Sequence, residues 1–547
     1  MRAPKTGVSE VKVHSLSPAK GCQRQSALDL DPIWADCNVA QELRSTPEKV
    51  MAYLPGYLAG IGAKTAVIEP GYIDRDYLDD YARYYAKCFE GYDRTCYRVH
   101  FFDAVYDQPT IDKIILSTCD ESSDDKQRQE LAQFENSYLG FVVIRPLPET
   151  IIGRTCLRAY SERNQTRHYK ALRNVKVSFF GRKLFVRCMP FQQQDSATAA
   201  CATCSLWSAF QVTSELFGHK TYFPCCITSM AVGHGLSEMR SFPNGGLFIE
   251  DMAYAIRAVG LDPICMDESG AKSNETEQEF SEIFLGAVYS YLAMGLPIIL
   301  TGTFAYEDEK EEEGKGDWRD NEAHAVTING FNLKLEAVAN TWLVSSGIDK
   351  LYVHDDQVGP GAKIEIDKDG AAKWHTDWKG EGEKPLCFNP RHLLIPAYHK
   401  IRVCYEDVYY CARKMSVAID GAVQGLVEHK RISSEYAVNA MWDIRLLKGE
   451  DYKTSIRHDT QIAEGDRLKC LKKGCPKYVW DMKVLLKGVP LARFAIDATD
   501  AGQGMKAFKA FFYTERFSAV WTSLLFNNDP ELCRNPFYRQ MNEEFPG

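Results

Sequence analysis

Between Ile283 and Tyr306 the chain carries no charged side chain. A stretch of that kind must leave water, and few architectures can take it. A helix that spans a membrane needs about twenty consecutive apolar residues, but Gly295-Leu296-Pro297 interrupts this run. Proline lacks a backbone donor and biases the residue before it away from helix, so the helix must close near Met294. Residues 297–302, Pro-Ile-Ile-Leu-Thr-Gly, then read as a buried strand. The segment predicts an inward-facing helix that feeds an interior strand, with no membrane span.

The surrounding text extends this pattern. Phe248, Met252, Ala253, Ile256 and Val259 recur at helical spacing ahead of Gly260, and the stretch from Cys201 reads as a helix closing at Gly218. Further strands are expected at 325–329, 350–354 and 392–396. Residues 186–400 thus read helix-rich first and strand-rich second: an α+β domain of two lobes, helical and antiparallel sheet, with a cleft between them. Residues 27–185 alternate helical text such as 75–89 with strands such as 139–145, and 175–188 reads as a hairpin about Gly181-Arg182-Lys183. Residues 401–547 open with a helix over 408–427, then turn strand-rich, with a hairpin about 487–490. The first 26 residues are expected to be a loose tail. For 547 residues, three or four domains of roughly 150 residues each is the ordinary expectation.

The chemistry is concentrated at three places. Cys201 lies among small residues at the start of the 201–217 helix, where a thiolate is stabilised and reachable. His324 stands in Glu322-Ala-His-Ala-Val-Thr-Ile-Asn-Gly330, and Asp355 with Asp356 closes Leu351-Tyr-Val-His-Asp-Asp356. Cysteine, then histidine, then aspartate is the skeleton of a cysteine hydrolase. His324 would take the thiol proton and return it to the leaving amine, and Asp355 would fix the imidazole tautomer.

Cys201-Ala-Thr-Cys-Ser-Leu206 resembles the Cys-Gly-Pro-Ala-Ser-Leu element that opens the nucleophile helix of papain-like cysteine peptidases, nearest the bacterial bacteriocin-leader-processing (double-glycine) type. His324-Ala-Val-Thr-Ile-Asn-Gly-Phe331 is similar to that family's histidine strand, Asp355-Asp-Gln-Val-Gly359 to its Asp-Pro-x-x-Gly element, and Met294-Gly-Leu-Pro-Ile-Ile-Leu300 to the strand before the histidine. The resemblance spans the central region only. It implies a Cys201–His324–Asp355 triad and an oxyanion site made of the Cys201 N–H and a glutamine side chain. The family places that glutamine six residues before the nucleophile; here Asp195 stands there, so Gln194 takes the role if the backbone bulges by one residue, with Gln193 as the fallback.

Each assignment has a competitor. Cys201-x-x-Cys204 also suggests that Cys204 attacks, as in papain itself, or that the pair is a thiol–disulfide couple; the positions of Ser205 and Leu206 favour Cys201. His354 competes with His324, and Asp356 with Asp355. The acidic run Glu307–Glu313 reads as a solvated loop, or as a lid beside His324 that favours basic substrates.

Composition narrows the partners. A formal charge of −9 with no basic, aromatic-interleaved stripe argues against nucleic acid. Eighteen scattered cysteines without an N-terminal apolar leader suggest reduced thiols in a cytoplasm. Cys225-Cys226 and Cys470/Cys475 lack a second pair at zinc spacing, so no metal is expected there. Asp497 and Asp500 read as a turn, without chemistry. No cofactor is implied. The expected activity is a cytoplasmic cysteine protease that acts on a protein or peptide substrate. Long flanks would give it narrow specificity and a regulatory protein partner. The alternatives are a thiol–disulfide oxidoreductase using Cys201/Cys204 and a catalytically idle papain-like interaction scaffold.

Overall fold

The computed structural model describes residues 10–19, 27–45, 49–89, 91–117, 125–162, 166–195, 197, 200–235, 241–242, 246–267, 277–306, 323–334, 341–366, 374–379, 385–430, 433–434, 438–500 and 507–513. The acidic run at 307–313 lies outside the described residues. The molecule is α+β throughout, built on several antiparallel sheets.

The chain begins with β1 (Lys12–Ser15), inside the stretch expected to be a loose tail. Helices α1 (Asp31–Asp36), α2 (Gln41–Ser45) and α3 (Lys49–Gly60) follow, then β2 (Thr65–Tyr72), α4 (Arg75–Arg83), β3 (Cys96–Phe102), α5 (Gln108–Leu116), α6 (Asp125–Ser137), β4 (Tyr138–Ile144) and β5 (Ile152–Leu157). The five strands form one antiparallel sheet in sequence order. What orders the supposed tail is pairing of Lys12–Ser15 with Thr65–Ile68, helped by a 2.7 Å ion pair from Lys12 to Asp36. Successive strand residues face opposite sides, and both sides of this sheet are covered: Phe101 enters the core beneath α3, whereas Phe102 enters the core against α6.

The next strands are β6 (Arg167–Tyr169) and the hairpin β7 (Arg173–Phe179) and β8 (Arg182–Cys188). The hairpin turns on Phe180-Gly181, with φ of 47° and 93°, one residue earlier than the sequence suggests, because a two-residue turn that matches strand twist needs both central residues left-handed. Helices α7 (Cys201–Phe217), α8 (Pro224–Val232) and α9 (Ile249–Ala258) then form a layer with a core of their own around Leu206, Trp207, Phe210 and Ile256. As expected, α7 closes at Gly218, which is left-handed at φ 79°.

After β9 (Asp262–Asp267), the uncharged run becomes α10 (Glu277–Ala293) and β10 (Ile298–Tyr306). Ile298, Ile299 and Leu300 are fully buried. The strands β11 (Ala323–Leu333), β12 (Ile348–Asp355), β13 (Gly359–Glu365), β14 (Trp374–Lys379) and β15 (Pro385–Ala397) each pair antiparallel with the next, and β15 returns to β10. The result is a closed six-stranded barrel. Strand β9 extends it along β15, and β6 along β11. The expected strands correspond to β10, β11, β12 and β15. Those not foreseen are short or polar: β13 opens Gly-Pro-Gly, β14 reads Trp-His-Thr-Asp-Trp-Lys, and β6 has three residues.

The last described elements are α11 (Tyr405–Glu428), β16 (Met441–Lys448), α12 (Gly449–His458), α13 (Glu464–Lys472), β17 (Tyr478–Leu486), β18 (Val489–Asp497) and β19 (Ala507–Phe512), whose strands form a four-stranded antiparallel sheet. The β17–β18 turn is Lys487-Gly488, again with both φ positive. The division expected at 400/401 does not separate two cores. Leu292 of α10 shares one core with Tyr405, Trp442 and Trp480, and the Ser290 hydroxyl donates to the Ile444 carbonyl at 2.6 Å. One face of α10 serves the barrel and the other the C-terminal sheet. Among the described residues, no helix is long and apolar enough to cross a membrane.

Barrel closure passes through Gly302, which pairs with His324 in β11 and Pro390 in β15. A Cβ there would meet the Asn389 carbonyl and stand 2.6 Å from the Phe388 ring. Gly302→Ala is expected to lower stability by about 1–3 kcal/mol, the usual cost of overpacking. Urea unfolding of both proteins checks this, and an unchanged midpoint would mean that the two strands are not so closely apposed.

Candidate active site

Cys201 is the first residue of α7. Ala200 before it is extended, and no side chain caps the helix start. The thiol therefore sits where unpaired backbone N–H groups and the positive helix end favour an anion. It is partly exposed. Two reciprocal hydrogen bonds fix α7 against β11: the Ser205 hydroxyl donates to the Ala325 carbonyl at 2.8 Å, and the Thr327 hydroxyl donates to the Ser205 carbonyl at 2.9 Å. Ser205 lies one turn beyond Cys201, and Ala325 adjoins His324. These bonds set the thiol opposite the imidazole.

His324 lies between a carboxylate and a thiol. Its Nε2 lies 3.2 Å from Asp355 Oδ2, and interaction with the Cys201 side chain helps to raise its pKa. Because Nε2 faces the carboxylates, Nδ1 is the nitrogen left for sulfur. Antiparallel pairing of β11 with β12 brings His324 and Asp355 together across 31 positions of sequence. Asp355 is itself fixed, since its Oδ1 accepts the N–H groups of Gln357 at 2.8 Å and Val358 at 3.1 Å. Beyond them Gly359 has a φ of 148°, and the Tyr53 ring fills the space that a Cβ would need.

The imidazole is only 3% exposed and lies against the Phe304 and Trp378 rings, with centroids 5.4 and 5.7 Å away. Burial by itself disfavours the imidazolium. The Asp355 charge and hydrogen bond, the contact with Cys201 and the Asp356 charge outweigh it, so the His324 pKa rises well above the ordinary value.

The competing residues are in different environments. Cys204 is buried one turn below Cys201, and desolvation, with help from the Asp356 and Asp195 charges, pushes its thiol well above the usual range. His354 Nε2 donates to the Met189 carbonyl at 2.8 Å while Nδ1 accepts from Gly361 N–H at 3.2 Å, and burial lowers its pKa to about 4. It is a neutral bridge between segments. Asp356 is 3.8 Å from His324 Nε2 and makes no hydrogen bond to it, which leaves Asp355 as the carboxylate bonded to the imidazole.

On the oxyanion side the geometry is less direct. Gln193 is committed: its Oε1 accepts from Ile152 N–H at 3.1 Å, and its N–H donates to the Ile152 carbonyl at 3.1 Å. Gln194 is partly buried, its carbonyl accepts from Arg145 Nη2 at 3.5 Å, and no hydrogen bond joins its side chain to Cys201 or His324. Arg145 also donates to the carbonyls of Thr150 and Gln193, so the N-terminal sheet anchors the segment leading to Cys201. Nothing in the sequence marks Arg145, because its role depends on β4 and β5 lying beside residues 193–194. Gln192 was also unmarked. Its buried Nε2 has no acceptor.

Elsewhere, all cysteines among the described residues are free. Cys225 and Cys226 lie against Asp79 of α4, at 2.9 and 3.8 Å. Asp497 accepts from the Thr499 N–H and hydroxyl, the turn expected of it. In comparisons with known proteins, no family model and no curated protein matches the chain.

Asp356 is the anomaly of the site. It is 3% exposed, and neither carboxylate oxygen has a hydrogen-bond partner. Desolvation raises its pKa to about 7; the His324 charge opposes that rise and the Asp355 charge adds to it. A carboxyl whose folded pKa exceeds its unfolded one binds more protons when folded, so its contribution to stability is present at acid pH and is lost as pH rises from about 4 through about 7. In metal-free buffer, Asp356→Asn is therefore expected to stabilise the protein at pH 8 by about 1–3 kcal/mol, the cost of a buried group without a partner, and to have little effect at pH 4. Melting curves across that range test it. Equal shifts at both ends would mean that Asp356 does not titrate there.

Proposed function

We propose that the chain is a cysteine hydrolase of papain-like, two-lobed design that cleaves an amide bond, peptide or isopeptide, in a protein or peptide substrate. One observation carries this reading: a single buried imidazole is bonded to a carboxylate and has the thiol at the start of α7 among the neighbours that favour its charged form. The helical layer α7–α9 corresponds to one lobe and the barrel to the other, with Cys201 and His324 facing each other across their contact.

In the proposed reaction His324 takes the Cys201 proton, and the sulfur attacks the substrate carbonyl carbon to give a tetrahedral oxyanion. The Cys201 N–H and the Gln194 side chain stabilise that charge. As the intermediate collapses the C–N bond breaks, and His324 passes its proton to the departing amine. Water, deprotonated by the same imidazole, attacks the thioester carbonyl, and the acid leaves as the thiol is restored. Asp355 keeps the ring oriented and stabilises its cationic form throughout. A disulfide role for Cys201/Cys204 has less support, since Cys204 is buried and the His324–Asp355 contact would have no task. Narrow specificity and a regulatory partner acting through the flanking regions belong to the same proposal.

Iodoacetamide labelling with peptide mapping tests the proposal. Cys201 is expected to be the fastest-labelled cysteine, to slow by at least about tenfold in His324→Ala, since general-base assistance is commonly worth a hundredfold or more, and to keep its rate in Cys204→Ala. If Cys201 reacts equally fast with and without His324, the proposal fails.

A further inference from the structure

His324, Asp355 and Asp356 form a second kind of site on the side of the imidazole away from the thiol. Their ligand atoms, one nitrogen and a carboxylate oxygen from each aspartate, all lie within 4.8 Å of one another, and all three side chains are buried. Two buried carboxylates face one imidazole nitrogen, and among the described residues no lysine or arginine pairs with either. A general base needs one of these carboxylates. The hydrolase reaction leaves Asp356 without a task, and neither of its oxygens has a hydrogen-bond partner.

We infer that His324 Nε2, Asp355 Oδ2 and Asp356 Oδ1 form a binding site for a divalent cation of the zinc class, which reversibly withdraws the imidazole from catalysis. The spacing is that of a ligand set. Zinc holds nitrogen and carboxylate oxygen at about 2.0–2.2 Å, which in a tetrahedron separates ligand atoms by about 3.3 Å. The observed separations from Nε2 are 3.2 Å to Asp355 and 3.8 Å to Asp356.

The surroundings fit as well. The remaining oxygen of Asp355 is fixed by two backbone N–H groups, as carboxylates that hold metals commonly are. The Phe304 and Trp378 rings supply an apolar wall. The fourth position would be filled by water. On binding, the imidazolium releases its Nε2 proton to solvent, Nδ1 keeps its own, and the freed Nε2 lone pair is donated to the cation. With Nε2 ligated, the ring can no longer cycle between neutral and cationic forms with Asp355 as its acceptor, and acyl transfer stops. That inhibitory consequence rests on the hydrolase reading; the binding site does not.

Calorimetric titration of chelator-treated, full-length protein with zinc chloride tests the site. Native protein and Cys201→Ala are expected to bind the same number of zinc equivalents. Asp356→Asn should lose one equivalent, or bind it at least about tenfold more weakly, in the range that shell substitutions at metal sites produce. Other thiols that take up zinc are common to all three proteins and cancel in the comparison. An unchanged isotherm for Asp356→Asn, or loss of one equivalent in Cys201→Ala, overturns the inference, the latter by placing the metal on the thiol face.

Should Asp356→Asn fold poorly, cobalt replaces zinc in the native protein. A visible spectrum that is identical for native and Cys201→Ala supports the site. A sulfur-to-cobalt band lost with Cys201 refutes it. Iodoacetamide labelling of the metal-free protein separates the two proposals. A reactive Cys201 without zinc uptake sinks this inference alone, and zinc uptake at Asp356 with an inert Cys201 sinks only the hydrolase reading.

Discussion

Closure of β10 onto β15 is the constraint on which the rest of the molecule depends. It gives an uncharged stretch a fully hydrogen-bonded interior, because every barrel strand finds two neighbours and no edge is left in the apolar core. It also sets the register of β11 against β10, and so places His324 opposite Gly302 at the one point where the closing strands approach too closely for a side chain. From β11 the order propagates outward. Pairing with β12 delivers Asp355, and two hydroxyl–carbonyl bonds dock α7 and its thiol. The α10 helix that feeds the barrel carries the C-terminal sheet on its other face. A change at the closure therefore reaches both the site and the second core.

The two histidines of this region show how partners decide what burial does. His324 and His354 are both nearly inaccessible, and desolvation pushes each toward the neutral form. His354 meets a backbone carbonyl and a backbone N–H, one partner for each nitrogen of a neutral ring, and backbone hydrogen bonds offset only part of the shift. His324 meets two carboxylates and a thiol, which reverse it. Residue type and burial are alike, and the charge of the neighbours decides the direction.

That contrast also marks how far sequence can be read. The α7 boundaries, the break after α10 and the four apolar barrel strands were legible, because periodicity and glycine or proline punctuation record local requirements. So was the meeting of His324 with Asp355, each of which sits near the end of a recognisable strand. Closure was not legible: β13 and β14 are polar or glycine-rich, and they join the barrel through pairing that only neighbours can supply. Nor were Arg145 and the isolation of Asp356, since both arise where segments distant in sequence come to lie side by side. The β1 strand was hidden for the same reason: its four residues are unremarkable until β2 is beside them.

Strand β6 has a consequence in time. Its three residues pair with Gly330–Asn332 of β11, which are made roughly 160 residues later, and at a synthesis rate of about 5–20 residues per second that is a delay of roughly ten to thirty seconds. Cys201 also emerges well before His324 and Asp355. For most of that interval the growing chain carries the Cys201 thiol without His324 and the short β6 segment without the strand it pairs with. The thiol and the imidazole can come together only after β11 has been made.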